Sequence, residues 1–131
     1  VIGHLGLTPQ SVHKFGGYGV RAQETAEAEK LIADAVALDE AGCFAITLEK
    51  VPAALAAEVT KRVSCATIGI GAGNATDGQI LVYADMLGLT QGFKPKFLRQ
   101  YANLGKEMTD AVQAYITDVK ASVFPSAEES Y

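Results

Sequence analysis

Glu49 closes the apolar run Phe44-Ala45-Ile46-Thr47-Leu48 and precedes a helix signal, Val51-Pro52-Ala53-Ala54-Leu55. A short apolar run of this kind reads as a strand buried on both faces, as in parallel sheets. Glu49 then stands where the strand emerges, and in barrel and doubly wound folds the C-terminal strand ends carry the chemistry. A carboxylate there is a candidate general base, whereas a structural acid would only cap the next helix or sit in a solvated loop.

His4 falls near the end of the first apolar run, in the same layer as Glu49 if the two strands point the same way. Its imidazole offers a hydrogen-bond donor to a carbonyl or carboxylate, and both protonation states are accessible near neutrality. A satisfied structural histidine is the alternative. His13 lies in a glycine-rich connection and is a weaker candidate. Gly69, Gly71 and Gly73 form a GxGxG string, but the dinucleotide fingerprint needs GxGxxG opening a helix. Here Asn74-Ala75-Thr76-Asp77-Gly78 is turn chemistry. These glycines mark a close backbone approach at a strand end, to a ligand or to a neighbouring loop.

Cys43 and Cys65 have no zinc-type spacing and read as small buried thiols. The strand-end acids available to a hard cation are Glu49 and, more remotely, Asp77 or Asp85. They are far apart in sequence, so the expectation is that no metal set lies within this chain.

The elements that must position these groups alternate. Helical periodicity predicts helices over Thr25–Ala41, Pro52–Ser64 and Lys106–Val119, the last with Met108, Val112, Tyr115, Ile116 and Val119 on one stripe. Short apolar runs bounded by glycine predict strands over Val1–Leu5, Phe44–Leu48, Ala66–Ile70 and Ile80–Tyr83. Strands and helices in this order read as βα units around a parallel sheet. Four such strands are half of an eight-stranded barrel, and a complete barrel typically takes about 250 residues, so a partner half is expected elsewhere. The expected division is residues 1–123 as the half barrel and residues 124–131 as a polar tail. The segment Ser11–Ala22, with Phe15-Gly16-Gly17-Tyr18-Gly19, is long enough to be functional rather than a mere connection.

With 131 residues, 49% hydrophobic and 20% charged, the chain is of ordinary globular composition. A net charge of −4 with scattered Lys and Arg argues against nucleic acid as a partner. The apolar runs fall short of the roughly 20 residues that span a bilayer, and the start Val1-Ile2-Gly3-His4 has no basic leader or initiator methionine. The expectations are a cytoplasmic protein without a membrane partner and a chain that begins inside a longer one.

The strings GHLGLTPQS (Gly3 to Ser11), FGGY (Phe15 to Tyr18), AGCFAITLEKVP (Ala41 to Pro52) and TIGIGAGNATDGQILV (Thr67 to Val82) occur together with KFLRQYANL (Lys96 to Leu104). In this order and spacing they closely resemble the ketopantoate hydroxymethyltransferase family. The resemblance implies the C-terminal half of a (β/α)8 TIM barrel of the phosphoenolpyruvate/pyruvate type. It implies transfer of a hydroxymethyl group from methylenetetrahydrofolate to α-ketoisovalerate, giving ketopantoate, with Mg2+ chelating the keto acid. Glu49 is then the base that removes the C3 proton, and His4 lines the keto-acid site. The resemblance assigns no folate-binding residue, places the metal ligands in the missing half, and implies a homo-oligomer, a decamer, with an isolated chain that does not turn over.

The chain departs from the family pattern at Lys50, where a cysteine is common, at Ala84, where a histidine is common, and at Glu129, where many members have histidine. An ammonium that approached Glu49 from Lys50 would favour its charged form. Two other functions are distinguishable from this one: a sister enzyme of the same superfamily acting on other oxo acids, and a noncatalytic assembly module.

Overall fold

The computed structural model describes residues 1–92 and 94–131, and the chain forms two compact units, Val1–Leu81 and Val82–Tyr131.

The first unit is built on a parallel sheet in the order β1 (Ile2–Gly6), β2 (Ala45–Glu49), β3 (Ala66–Ile70), β4 (Gly78–Gln79). A one-turn helix, α1 (Val12–Phe15), follows β1, then α2 (Thr25–Glu40) leads to β2 and α3 (Ala53–Arg62) to β3. The first three strands lie within one residue of the predicted runs. Helix α3 starts one residue later than predicted because Pro52 is its N-cap, where the ring's missing N–H leaves no bond unmade.

Both helices lie on one face. Ile46 and Leu48 of β2 are fully buried there with Leu31 and Ala35 of α2 and Ala56 and Val59 of α3, each large side chain contributing about 2 kcal/mol relative to exposure. Thr67 of β3 is also fully buried, and its hydroxyl meets that of Thr60 on α3 at 2.9 Å. Successive strand residues point to opposite faces, so His4, Thr47, Glu49, Ile68 and Ile70 share the other face. The register pairs His4 with Thr47 and Ile68, and Gly6 with Glu49 and Ile70.

The fourth strand corrects the sequence reading. The pairing residues are Gly78 and Gln79, beside Ile68 and Gly69, and not the apolar run Ile80–Tyr83. Ile80 still donates its N–H to Gly69 O at 3.0 Å, but Tyr83 already begins α4 (Tyr83–Met86). No helix joins β3 to β4: residues 71–77 make the crossover alone. Side chains fix this short return. Asp77 accepts from Thr67 N–H at 2.8 Å and Thr67 Oγ1 at 2.9 Å, and Gln79 Nε2 donates to Gly73 O at 2.8 Å. Gly73 adopts φ +78, and a Cβ there would stand 2.5 Å from Ala53 Cβ. The glycine string is therefore packed against α3 and its own loop, the second of the two readings offered by the sequence.

In the second unit, residues after α4 fold back so that Tyr101 N–H reaches Met86 O at 2.8 Å and Leu104 N–H reaches Leu87 O at 3.0 Å. They lead into α5 (Leu104–Lys120), whose predicted apolar residues Met108, Val112, Tyr115 and Val119 are exposed. Phe124 lies edge-on to Tyr115 with ring centroids 5.5 Å apart, and Ser126 and Glu129 form a capping box. Among the described residues no helix is long and apolar enough to cross a membrane.

Asp39, near the end of α2, accepts hydrogen bonds from Ser64 N–H (2.7 Å), Ser64 Oγ and Cys65 N–H (3.0 Å), clamping the α3–β3 junction. The Ser64 backbone bond holds its carboxyl below the ordinary value, and the Thr67 backbone bond does the same for Asp77. A carboxylate whose folded pKa is depressed stabilises the fold fully above its unfolded pKa, and that stability is lost as pH falls through the folded value. The complete protein should therefore lose stability as pH falls below about 4, and Asp39→Asn should flatten that acid limb in melting curves recorded from pH 7 to 3.

Candidate functional site

Glu49 is the last residue of the central strand, and its backbone is held from both sides. Its carbonyl accepts from Leu7 N–H, beyond the end of β1, at 2.8 Å. The next N–H, of Lys50, donates to Ile70 O at the end of β3, also at 2.8 Å. Pairing of β2 on both edges thus continues one step past the strand and fixes the direction from which the Glu49 side chain leaves the sheet.

The side chain lies on the face away from α2 and α3, and so does that of His4. His4 Nε2 and Glu49 Oε2 are 3.0 Å apart, across adjacent strands and 45 residues of sequence. A carboxylate that is ionised only accepts hydrogen bonds, and in that form of the pair the imidazole donates from Nε2. Glu49 is 18% exposed and His4 36%, which leaves the pair within reach of a small molecule. Oε1 has no hydrogen-bond partner among the described residues. One oxygen is thereby oriented by His4 while the other is available to take a proton, an arrangement suited to general-base chemistry.

The remaining sequence candidates lie elsewhere. His13 is exposed on α1, outside the pair. Asp77 precedes β4 and serves buried Thr67, not a strand end, and Asp85 lies in α4 of the second unit. Cys43 is buried as expected, whereas Cys65 is only partly buried. Burial, its largest influence, raises the Cys65 thiol above its ordinary pKa and keeps it protonated.

Among the described residues no group of three or more His, Cys, Asp or Glu is assembled for a metal ion. One imidazole and one carboxylate do not fit magnesium, a hard cation that takes six ligands, mostly oxygens.

The sequence reading passed over Arg21. Its guanidinium lies 4.2 Å from the Phe15 ring centroid and pairs with Glu27 of α2. These residues and His4, Lys14 and Lys30 line a cleft of about 370 Å³ beside β1. The signal available was an arginine six residues after an aromatic within a glycine-rich segment, a pairing that only the folded loop brings together.

Gly6 is the residue on which the Glu49 anchor turns. It adopts φ +88, and a Cβ there would lie 2.2 Å from Glu49 O and 2.7 Å from Val51 Cγ1. Gly6→Ala must move the backbone that carries Glu49. Stability should fall by about 2 kcal/mol or more, read as a lower urea midpoint of the complete protein.

The pattern of a known family covers this geometry. The family model described as ketopantoate hydroxymethyltransferase matches residues 1–127. The chain is 63% identical over all 131 residues to a 3-methyl-2-oxobutanoate hydroxymethyltransferase of Parabacteroides distasonis, 61% identical to one of Christiangramia forsetii and 58% identical to one of Porphyromonas gingivalis, covering 48% of each relative. It therefore spans about half the length of the curated relatives it matches. With the match running from Val1 to Ala127, and with Glu49 and His4 inside it, the chain belongs to the ketopantoate hydroxymethyltransferase family.

Proposed function

We propose that this chain is half of a (β/α)8 barrel and that the complete protein transfers a hydroxymethyl group from methylenetetrahydrofolate to α-ketoisovalerate. The His4–Glu49 pair, at 3.0 Å, with Glu49 at the C-terminal end of β2 and His4 midway along β1, is the observation that carries this reading. Catalytic groups of such barrels stand at C-terminal strand ends. The sheet face that bears the pair is the face opposite α2 and α3, the one that closure of a barrel would turn inward. A segment half as long as its relatives is the right length to hold four of eight strands.

In this reading Glu49 takes the proton from C3 of the keto acid. The C–H electrons become the C2–C3 π bond of an enolate, and C3 then forms the new bond to the folate-borne carbon. The C–N bonds to the folate break, and water supplies the hydroxyl of ketopantoate. His4 donates to Glu49 Oε2, which orients the free Oε1, and it lines the keto-acid site from the neighbouring strand.

The magnesium ion expected from the family is assigned to residues of the remaining half, since those described here do not fit it. For the same reason turnover is assigned to the complete protein. A cytoplasmic homo-oligomer belongs to the same proposal, with analytical ultracentrifugation of the complete protein as its test.

Replacement of Glu49 by Gln keeps the shape and removes the base. In the complete protein it should slow deuterium exchange at C3 of α-ketoisovalerate, followed by proton NMR in D2O, by about 10²- to 10⁴-fold. Binding of the keto acid should change little. Exchange at the wild-type rate would reject Glu49 as the base.

A further inference from the structure

Lys50 directly follows the proposed base, yet the chemistry above makes no use of its side chain. Its backbone is left-handed, at φ +52, a conformation uncommon outside glycine. In that conformation it makes three hydrogen bonds to separate parts of the first unit. Its N–H donates to Ile70 O at 2.8 Å, its carbonyl accepts from Arg21 N–H at 2.9 Å, and its ammonium donates to Tyr18 O. The ammonium is thus directed at a carbonyl 32 residues upstream.

The segment it holds is otherwise tied near its ends, by the Gly16 and Gly17 N–H groups to His13 O and Val12 O and by Gln23 Nε2 to Val20 O. A Cβ at Gly16, Gly17 or Gly19 would meet nothing within 4 Å, and Tyr18, Gly19 and Val20 are exposed. Glycine-rich backbone has many conformations to lose on ordering, so one charged donor on a backbone carbonyl has large leverage over where such a segment lies. The segment runs between Phe15 and Arg21, which with His4 line the same cleft. The two ends of the segment, Phe15 and Arg21, thus border the cleft that His4 also lines, while Lys50 ties its middle to the residue after Glu49.

We propose that Lys50 is a positioning residue: its ammonium straps the glycine-rich segment 16–20 to the end of β2, so that the enolate formed at Glu49 is kept from water until the folate-borne carbon reaches it. Closed sites suppress side reactions of reactive intermediates in this way. The kinetic half of this inference rests on the proposed proton abstraction, whereas the strap itself does not.

Lys50→Met tests it in the complete protein, because methionine leaves the left-handed backbone requirement as it was and removes only the ammonium. Hydrogen–deuterium exchange of amides 16–20 should speed up by about tenfold, while β1 to β3 stay protected. With the segment loosened, C3 proton exchange should persist while product formation falls, so the ratio of exchange to transfer should rise severalfold. Lys50→Arg, which keeps a cationic donor, should restore both. Unchanged amide exchange at 16–20 would overturn the strap. Faster amide exchange with C3 exchange and transfer falling in parallel would overturn its role in guarding the enolate. A wild-type protein that exchanges no C3 proton would instead reject the proposed function and leave the amide result standing.

Discussion

The carboxylate of Glu49 is placed by the pairing of β2 on both of its edges, and everything functional in the first unit depends on that placement. A strand that ended with one free edge would let its last residue fray. Here Leu7 binds the Glu49 carbonyl from one side and Ile70 binds the Lys50 N–H from the other. The backbone of Glu49 is therefore as rigid as the sheet, and His4 meets its side chain because β1 and β2 run parallel in a register that sets the two side chains on one face. A parallel sheet thus does what a loop cannot: it brings residues 45 apart to hydrogen-bond distance with few torsions left to settle.

This precision has local consequences. The close approach of β1 to β2 at Glu49 leaves no room for a side chain at position 6, and the turn after the strand puts Lys50 in a left-handed conformation. Strained or side-chain-free positions of this kind concentrate next to functional groups, where the surrounding structure enforces them. In this protein they flank a single residue on both sides. The buried layer beneath, Ile46 and Leu48 against α2 and α3, supplies the rigidity that makes such positions tolerable.

Much of this was legible in the sequence, for physical reasons. Runs such as Phe44 to Leu48 are apolar enough to be strands only if both faces are covered, so the end of the run located Glu49 before any coordinates. The alternation of strands and helices then placed His4 in the same layer. What was not legible depends on contacts distant in sequence. The run Ile80 to Val82 looks more strand-like than Gly78-Gln79, but the pairing partner is chosen by the hydrogen bond that Thr67 N–H donates to Asp77 and the one that Gln79 donates to Gly73 O. Asp77 accordingly belongs to the fold and not to the site. The positions of Arg21 and Lys50 were hidden likewise, since each depends on the path of a glycine-rich segment whose composition permits many paths.

The central claim is that His4 and Glu49 work as one unit on the keto acid. A double-mutant cycle in the complete protein, with His4→Ala, Glu49→Gln and the pair, each read by C3 proton exchange of α-ketoisovalerate, addresses it directly. If imidazole and carboxylate act together, the double variant is no slower than Glu49→Gln alone. Losses that multiply across the two sites would show that the residues act independently, and the hydrogen bond between them would then have no part in the chemistry.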